Sequence, residues 1–124
     1  MNNNIRITEI LNSIETEVNI ISKSTKLEGN VYLNTHTHIY GEVFGKIFSK
    51  TDNNDSQILI GNTANVEADI ECNNLIIDGF AKGSIIATDK VTLTSTARFI
   101  GTIRSPKLVI EPGAFFEGSS SSPL

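Results

Sequence analysis

The side chains that could do chemistry in this sequence are few and scattered. His36 and His38 stand two residues apart, so on an extended strand they share one face. Two imidazoles could begin a metal site. A closed zinc site takes four ligands, however, and no cysteine or carboxylate falls at ligand spacing from this pair. They read as surface histidines. Cys72 is the single cysteine, so no internal disulfide can form, and a reducing compartment is the natural expectation. A nucleophilic cysteine needs an activating base, and neither histidine is local to it. Glu67, Asp69 and Glu71 alternate along one stretch. A catalytic acid–base pair requires surroundings that split two pKa values, and an open strand face offers none. The sequence therefore assigns no catalytic, cofactor-binding or metal-binding residue.

Composition points the same way. The chain has 124 residues, 39% of them hydrophobic and 19% charged, with a net charge of −4. That is enough apolar content for one domain with a narrow core. No block of Lys or Arg appears, so the electrostatic footprint of a nucleic-acid binder is missing. No apolar run approaches the roughly 20 residues of a membrane span, and residues 1–6 lack a signal-like pattern. These features lead to the expectation of a soluble cytoplasmic protein.

The elements that carry these residues come from an internal repeat. A small residue, any residue and a β-branched apolar residue recur as Gly29-Asn30-Val31, Gly45-Lys46-Ile47, Ala68-Asp69-Ile70, Gly83-Ser84-Ile85 and Gly101-Thr102-Ile103. A second apolar series interleaves with it: Ile39, Ile60, Ile77, Leu93 and Ile110. From Ile60 onward it steps by 17, 16 and 17 residues. The longer interval between Gly45 and Ala68 is explained by the turn-rich Thr51-Asp52-Asn53-Asn54-Asp55, which reads as a surface loop.

Within repeats the polarity alternates with period two, most clearly in Val66-Glu67-Ala68-Asp69-Ile70-Glu71-Cys72-Asn73. That is the pattern of a half-buried strand. Cys72 continues the buried row as a small core residue, and the three carboxylates form an outward, solvated ladder. Each repeat is too short to hold a crossover helix as well as its strands. The remaining solution is a coil in which every turn lies on the one before, an all-β parallel solenoid. Val31, Ile47, Ile70, Ile85 and Ile103 make one inward column, and the Ile39 series makes another. No single turn buries its own apolar face, so the turns stabilise one another by stacking.

Such a solenoid has two ends, where unpaired backbone and open apolar columns are left unless something caps them. Ala114, Phe115 and Phe116 are expected on one end face. Ile21, Leu27 and Val31 are expected at the other. Tyr32, Phe44 and Phe48 alternate with buried neighbours and so point outward, a candidate lateral patch for a partner. In residues 1–19, Ile7, Ile10, Leu11, Ile14 and Val18 fall at helical spacing, which suggests a short amphipathic N-terminal helix. Residues 119–124, with four serines in a row, read as a disordered tail.

Three stretches carry a resemblance to a known family. They are Ile20-Ile21-Ser22-Lys23-Ser24-Thr25-Lys26-Leu27-Glu28-Gly29-Asn30-Val31, Ile76-Ile77-Asp78-Gly79-Phe80-Ala81-Lys82-Gly83-Ser84-Ile85, and Ser105-Pro106-Lys107-Leu108-Val109-Ile110-Glu111-Pro112-Gly113-Ala114-Phe115-Phe116-Glu117-Gly118. In this order and spacing they resemble a bactofilin across residues 20–118. The resemblance implies a right-handed parallel β-helix of about six turns with short flexible tails. It also implies end-to-end polymerisation with itself without nucleotide, and a bacterial scaffolding role in cell shape, appendage placement or the recruitment of wall enzymes. Membrane-associated partners at the inner face of the cell membrane belong to the same expectation. The segment before residue 20 lacks a basic or aromatic membrane-binding start.

Two other classes compete. Ile60-Gly61 followed by Val66 fits a six-residue rhythm, as in the left-handed β-helix of trimeric acyltransferases and related carbonic anhydrases. That rhythm would hold 18 residues per turn strictly, and such enzymes need a histidine base or a set of three metal-binding histidines. A non-polymerising adaptor that presents Tyr32, Phe44 and Phe48 is the other.

Overall fold

The alternation described above folds into ten parallel strands and nothing helical among the described residues, which are 18–52 and 54–122 of the computed structural model. One sheet is built of short segments: β1 (Val18–Ile21), β3 (His36–Ile39), β5 (Gln57–Ile60), the last part of β6 (Asn65–Ile77), the last part of β7 (Phe80–Leu93), and β9 (Lys107–Ile110). The longer segments stack beside it: β2 (Lys26–Tyr32), β4 (Glu42–Ser49), the first part of β6, the first part of β7, β8 (Arg98–Arg104) and β10 (Phe115–Ser121). One short and one long segment make a coil, so the chain forms a parallel β-helix of about six turns.

Both inward columns stack as their spacing requires. Val31 pairs with Ile47, Ile47 with Ile70, Ile70 with Ile85 and Ile85 with Ile103. In the short-strand sheet Ile21 pairs with Ile39, then Ile60, Ile77, Leu93 and Ile110 follow in turn. Successive steps of that second column are 18, 21, 17, 16 and 17 residues. This uneven stride departs from the strict 18-residue period of a six-residue-repeat helix. A third column, Leu27, Val43, Val66, Ala81, Phe99 and Phe116, fills the space beside the first. Together the columns make one continuous core down the axis.

The long segments bend at their middle, where Gly29, Gly45, Gly83, Gly101 and Gly118 adopt positive φ. Two causes act together. The left-handed conformation is strained for any residue with a Cβ. The coils also approach so closely that a Cβ on Gly101 would sit on the carbonyl oxygen of Gly83 in the coil below.

Three sequence expectations are corrected here. Residues 119–121 are not a disordered tail: Ser119, Ser120 and Ser121 extend β10 and pair with Thr102, Ile103 and Arg104. A neighbouring strand overrides the composition that made the serines read as disorder. At the other end, Val18 and Asn19 open β1 and pair with His36 and Thr37, so the solenoid runs from Val18 to Ser121 rather than from residue 20 to 118. The remaining residues of the expected N-terminal helix lie outside the described residues. Third, Asn73 continues the alternation in sequence but is buried, because a register shift between Cys72 and Asn74 turns it inward.

That inward turn organises the inserted loop. Asn73 Oδ1 accepts from the Thr51 backbone N–H at 2.8 Å and from the Thr51 hydroxyl at 3.1 Å. Its Nδ2 donates to Asn54 Oδ1 at 3.0 Å and to Thr88 Oγ1 at 2.8 Å. Beneath them Ser49 and Ser56 share a buried hydroxyl hydrogen bond of 2.8 Å. A buried polar corner of this kind holds only when its members are satisfied.

Candidate assembly surfaces

The ends of the columns are where burial fails. Ile39, Ile60, Ile77 and Leu93 are fully buried, yet Ile110, next in the same column, is 45% exposed. Among the described residues no further coil lies over it. Leu108, Ala114 and Phe116 at that end, and Leu27, Val31 and Leu33 at the other, are only partly buried while packing on the core. Backbone pairing stops at the same places. Among the described residues β10 pairs with β8 alone, β9 with β7, β2 with β4 and β1 with β3. An edge strand leaves a row of N–H and C=O groups free on one side. Natural proteins usually blunt such edges with Pro, Lys or a bulge. β10 reads Phe-Phe-Glu-Gly-Ser-Ser-Ser and carries none of these.

Within the C-terminal end the two phenylalanines part company. Phe116 is the inward residue: it pairs in register with Phe99 and stacks on its ring, centroids 5.8 Å apart and planes 20° from parallel. Phe115 faces sideways, 44% exposed, with the Arg98 guanidinium 5.7 Å from its ring centroid. The structure thus keeps Ala114 and Phe116 at the end of the core and puts Phe115 on the flank. It adds Leu108 and Ile110, which the sequence reading left out of the end face. At the opposite end Leu27 and Val31 sit where expected, Leu33 joins them, and Ile21 is already buried.

The aromatic patch is also divided. Tyr32 and Phe48 are neighbours on adjacent coils, ring centroids 6.1 Å apart, and both are exposed. They flank a groove of about 360 Å³ whose far side is formed by Asp69, Glu71 and Ile86. Phe44 lies across the Gly45 bend, under the Lys26 ammonium at 5.4 Å. It does not line the groove beside the other two.

The groups that could do chemistry do not converge. His36 Nδ1 accepts a backbone hydrogen bond from Gln57 at 3.2 Å, and His38 meets Tyr40 edge-on at 6.3 Å. Cys72 is buried in the core, and desolvation pushes its thiol up to about 12, against a small opposing effect of Lys50. Glu67 and Asp69 are exposed, and Glu71 pairs with Lys50 at 3.3 Å. Among the described residues no three His, Cys, Asp or Glu side chains gather as a metal site would require. No helix among them is long and apolar enough to cross a membrane.

A stack of parallel coils whose last member leaves its apolar column open defines a class of structural, self-associating solenoids, and the comparisons give that class its name. The profile of the bactofilin family, described as polymer-forming cytoskeletal, matches residues 19–121. The chain is 35% identical over 100 residues to Bactofilin BacO of Myxococcus xanthus, covering 81% of this chain and 75% of the relative. It is 28% identical to Bactofilin BacP of the same organism over 89% of this chain and 44% of that one. Among solved structures, the Thermus thermophilus bactofilin in double helical filaments superposes with a TM-score of 0.77 at 28% identity, covering 85% of this chain and 99% of that one. The chain belongs to the bactofilin family, whose members are polymer-forming cytoskeletal proteins.

Proposed function

We propose that this protein works by assembling with copies of itself, end to end along the solenoid axis, into a filament that needs no nucleotide. The observation that carries the reading is the Ile110 column: buried through its middle, open at its last member, with unpaired strand edges beside it. A second copy would restore to the last coil the neighbour that every middle coil already has. Its apolar contacts would come from Leu108, Ile110, Ala114 and Phe116 at one end and Leu27, Val31 and Leu33 at the other. The T. thermophilus relative, seen as filaments, supports this. Catalysis has no part in the proposal. A scaffold for cell shape, appendage placement or wall enzymes, in the cytoplasm or at the inner face of the membrane, is the cellular role consistent with the family.

Negative-stain microscopy of the purified protein, without nucleotide or added metal, tests the reading. Filaments are expected, and Phe116→Arg should abolish them while the β-sheet circular dichroism persists. A charge placed in a surface that assembly desolvates is costly. Wild-type protein that stays monomeric at high concentration, or Phe116→Arg filaments like those of the wild type, would refute it.

A further inference from the structure

The two lateral surfaces of the solenoid differ in a way that end-to-end stacking does not explain. On the long segments the outward positions carry many charges, Lys26, Glu28, Lys46, Glu67, Asp69 and Lys82 among others, interleaved with the exposed Tyr32, Phe48, Ile86 and Phe115. The outward positions of the short-strand sheet form two columns. One runs Ile20, His38, Leu59, Ile76, Thr92 and Val109, one residue per coil. Ile20 is 66% exposed and Val109 40% exposed at its two ends, with Leu59 and Ile76 half-buried between. The other runs from Val18 and His36 through Gln57 and Asn74 to Lys90 and Lys107, the only charged residues of the face. A shallow depression of about 230 Å³ lies over Val18, His36, His38, Leu59 and Ile76.

This stripe is visible in the sequence as a break in the alternation. Ile58-Leu59-Ile60 and Leu75-Ile76-Ile77 are apolar triplets, and in each the middle residue must face out when its neighbours face in. A monomer gains nothing by keeping leucine and isoleucine on that side, where charge would favour solubility.

We propose that this face is the lateral contact by which two end-to-end strands of this protein pair. The inference rests on the filament reading above and deepens it. The occupant is a second copy for a reason of area. Six coils spaced about 4.8 Å and strands of four residues at about 3.3 Å each give a face of roughly 29 by 13 Å, about 380 Å². Two such faces bury about 750 Å², short of the roughly 1,200 Å² that a stable pair of proteins needs. A lone pair of molecules would not hold together through it. In a filament the stripe repeats in every copy, each contact raises the effective concentration for the next, and the pairing becomes strong. The face is therefore silent in the monomer and adhesive in the polymer. Any twist carried from coil to coil makes the stripe wind along the strand, so two strands joined along it coil about one another. The double helical filaments of the T. thermophilus relative are consistent with that geometry.

The test compares strand number in electron micrographs of the wild-type chain, of Leu59→Glu and Ile76→Glu, and of a chain lacking residues 1–17. Both substitutions replace outward side chains, and circular dichroism confirms the fold; Val109→Glu serves if either fails to fold. Paired strands are expected for the wild type, and single strands of unchanged subunit spacing for the glutamate variants. Paired strands in those variants, or single strands in the wild type, would overturn the proposal and leave the filament reading intact. So would folded variants that form no filament at all. Pairing that appears only after residues 1–17 are removed would assign the face to that segment instead. Absence of any wild-type filament would defeat the filament reading itself.

Discussion

Ile77 and Ile110 belong to one column, are the same residue, and lie two coils apart, yet the first is fully buried and the second is 45% exposed. The difference has nothing to do with sequence and everything to do with neighbours. A middle coil is stabilised from both sides, its backbone paired above and below and its side chains enclosed. An end coil has the same residues with half the partners. In a solenoid, burial belongs to the stack and not to the single repeat, so the C-terminal end face keeps the chemistry of an interior while facing solvent. That is the physical basis for self-association, since the surface best able to cover an end is the end of another solenoid.

Breaking the middle of the column should cost the most. Ile77→Ala removes buried atoms from a packed site, and a loss of about 2–5 kcal/mol is expected in denaturant unfolding. Ile110→Ala should cost about 1 kcal/mol or less in the same measurement, because half of its surface is already wet. Equal costs for the two would dissolve the contrast between middle and end. Gly101→Val attacks the bend. It demands a strained backbone and drives side-chain atoms into the Gly83 carbonyl, so loss of soluble folded protein is expected on expression. Gly29→Ala sharpens the point: its φ is also positive, but the Cβ would meet none of the described residues within 4 Å. The monomer should tolerate it at the modest cost of backbone strain, and a partner stacked on β2 would feel it as slowed assembly.

Smaller effects come from two titrating groups. Burial holds the Cys72 thiol neutral, with its folded pKa raised to about 12. That stabilisation is present below the unfolded value near 9 and is lost as pH rises from there toward 12. Thiol reagents should leave Cys72 unmodified at neutral pH until denaturant opens the core. Rapid labelling of native protein would place the residue outside the column. Asp78, at the turn after β6, is held below the usual carboxylate range by hydrogen bonds from Thr94, at 2.5 Å, and Thr96. Its contribution is present above about pH 4 and lost as pH falls below it. The group is partly exposed, so Asp78→Asn should alter stability only slightly at pH 7 and should lessen its decline in acid.

How much of this the sequence disclosed depended on whether the signal was periodic. Both inward columns and the inserted loop were legible because each coil repeats the same pattern of small and β-branched residues. The choice between Phe115 and Phe116 was legible too, through the glycine register. Phe116 stands two residues before Gly118, as Ala81 stands before Gly83 and Phe99 before Gly101. The expectation that placed Phe115 beside Phe116 on the end face overlooked that parity. The serines of β10 could not be read as a strand, because serine has no β preference of its own and the pairing comes from β8. Nor could Asn73 be read as buried, since a single-residue register shift leaves no trace in the alternation. The outward stripe of Ile20, Leu59, Ile76 and Val109 was present in the apolar triplets, but a period-two template discards the middle residue of each.

Fibre diffraction or helical reconstruction of assembled protein tests the central claim most directly, that the coils continue across the junction between copies. Stacked coils predict a reflection at about 4.8 Å along the filament axis. They also predict an axial subunit spacing near six coils, about 29 Å, or twice that if alternate copies are inverted. A 4.8 Å reflection perpendicular to the axis would mean that the solenoids lie side by side, and would contradict the account.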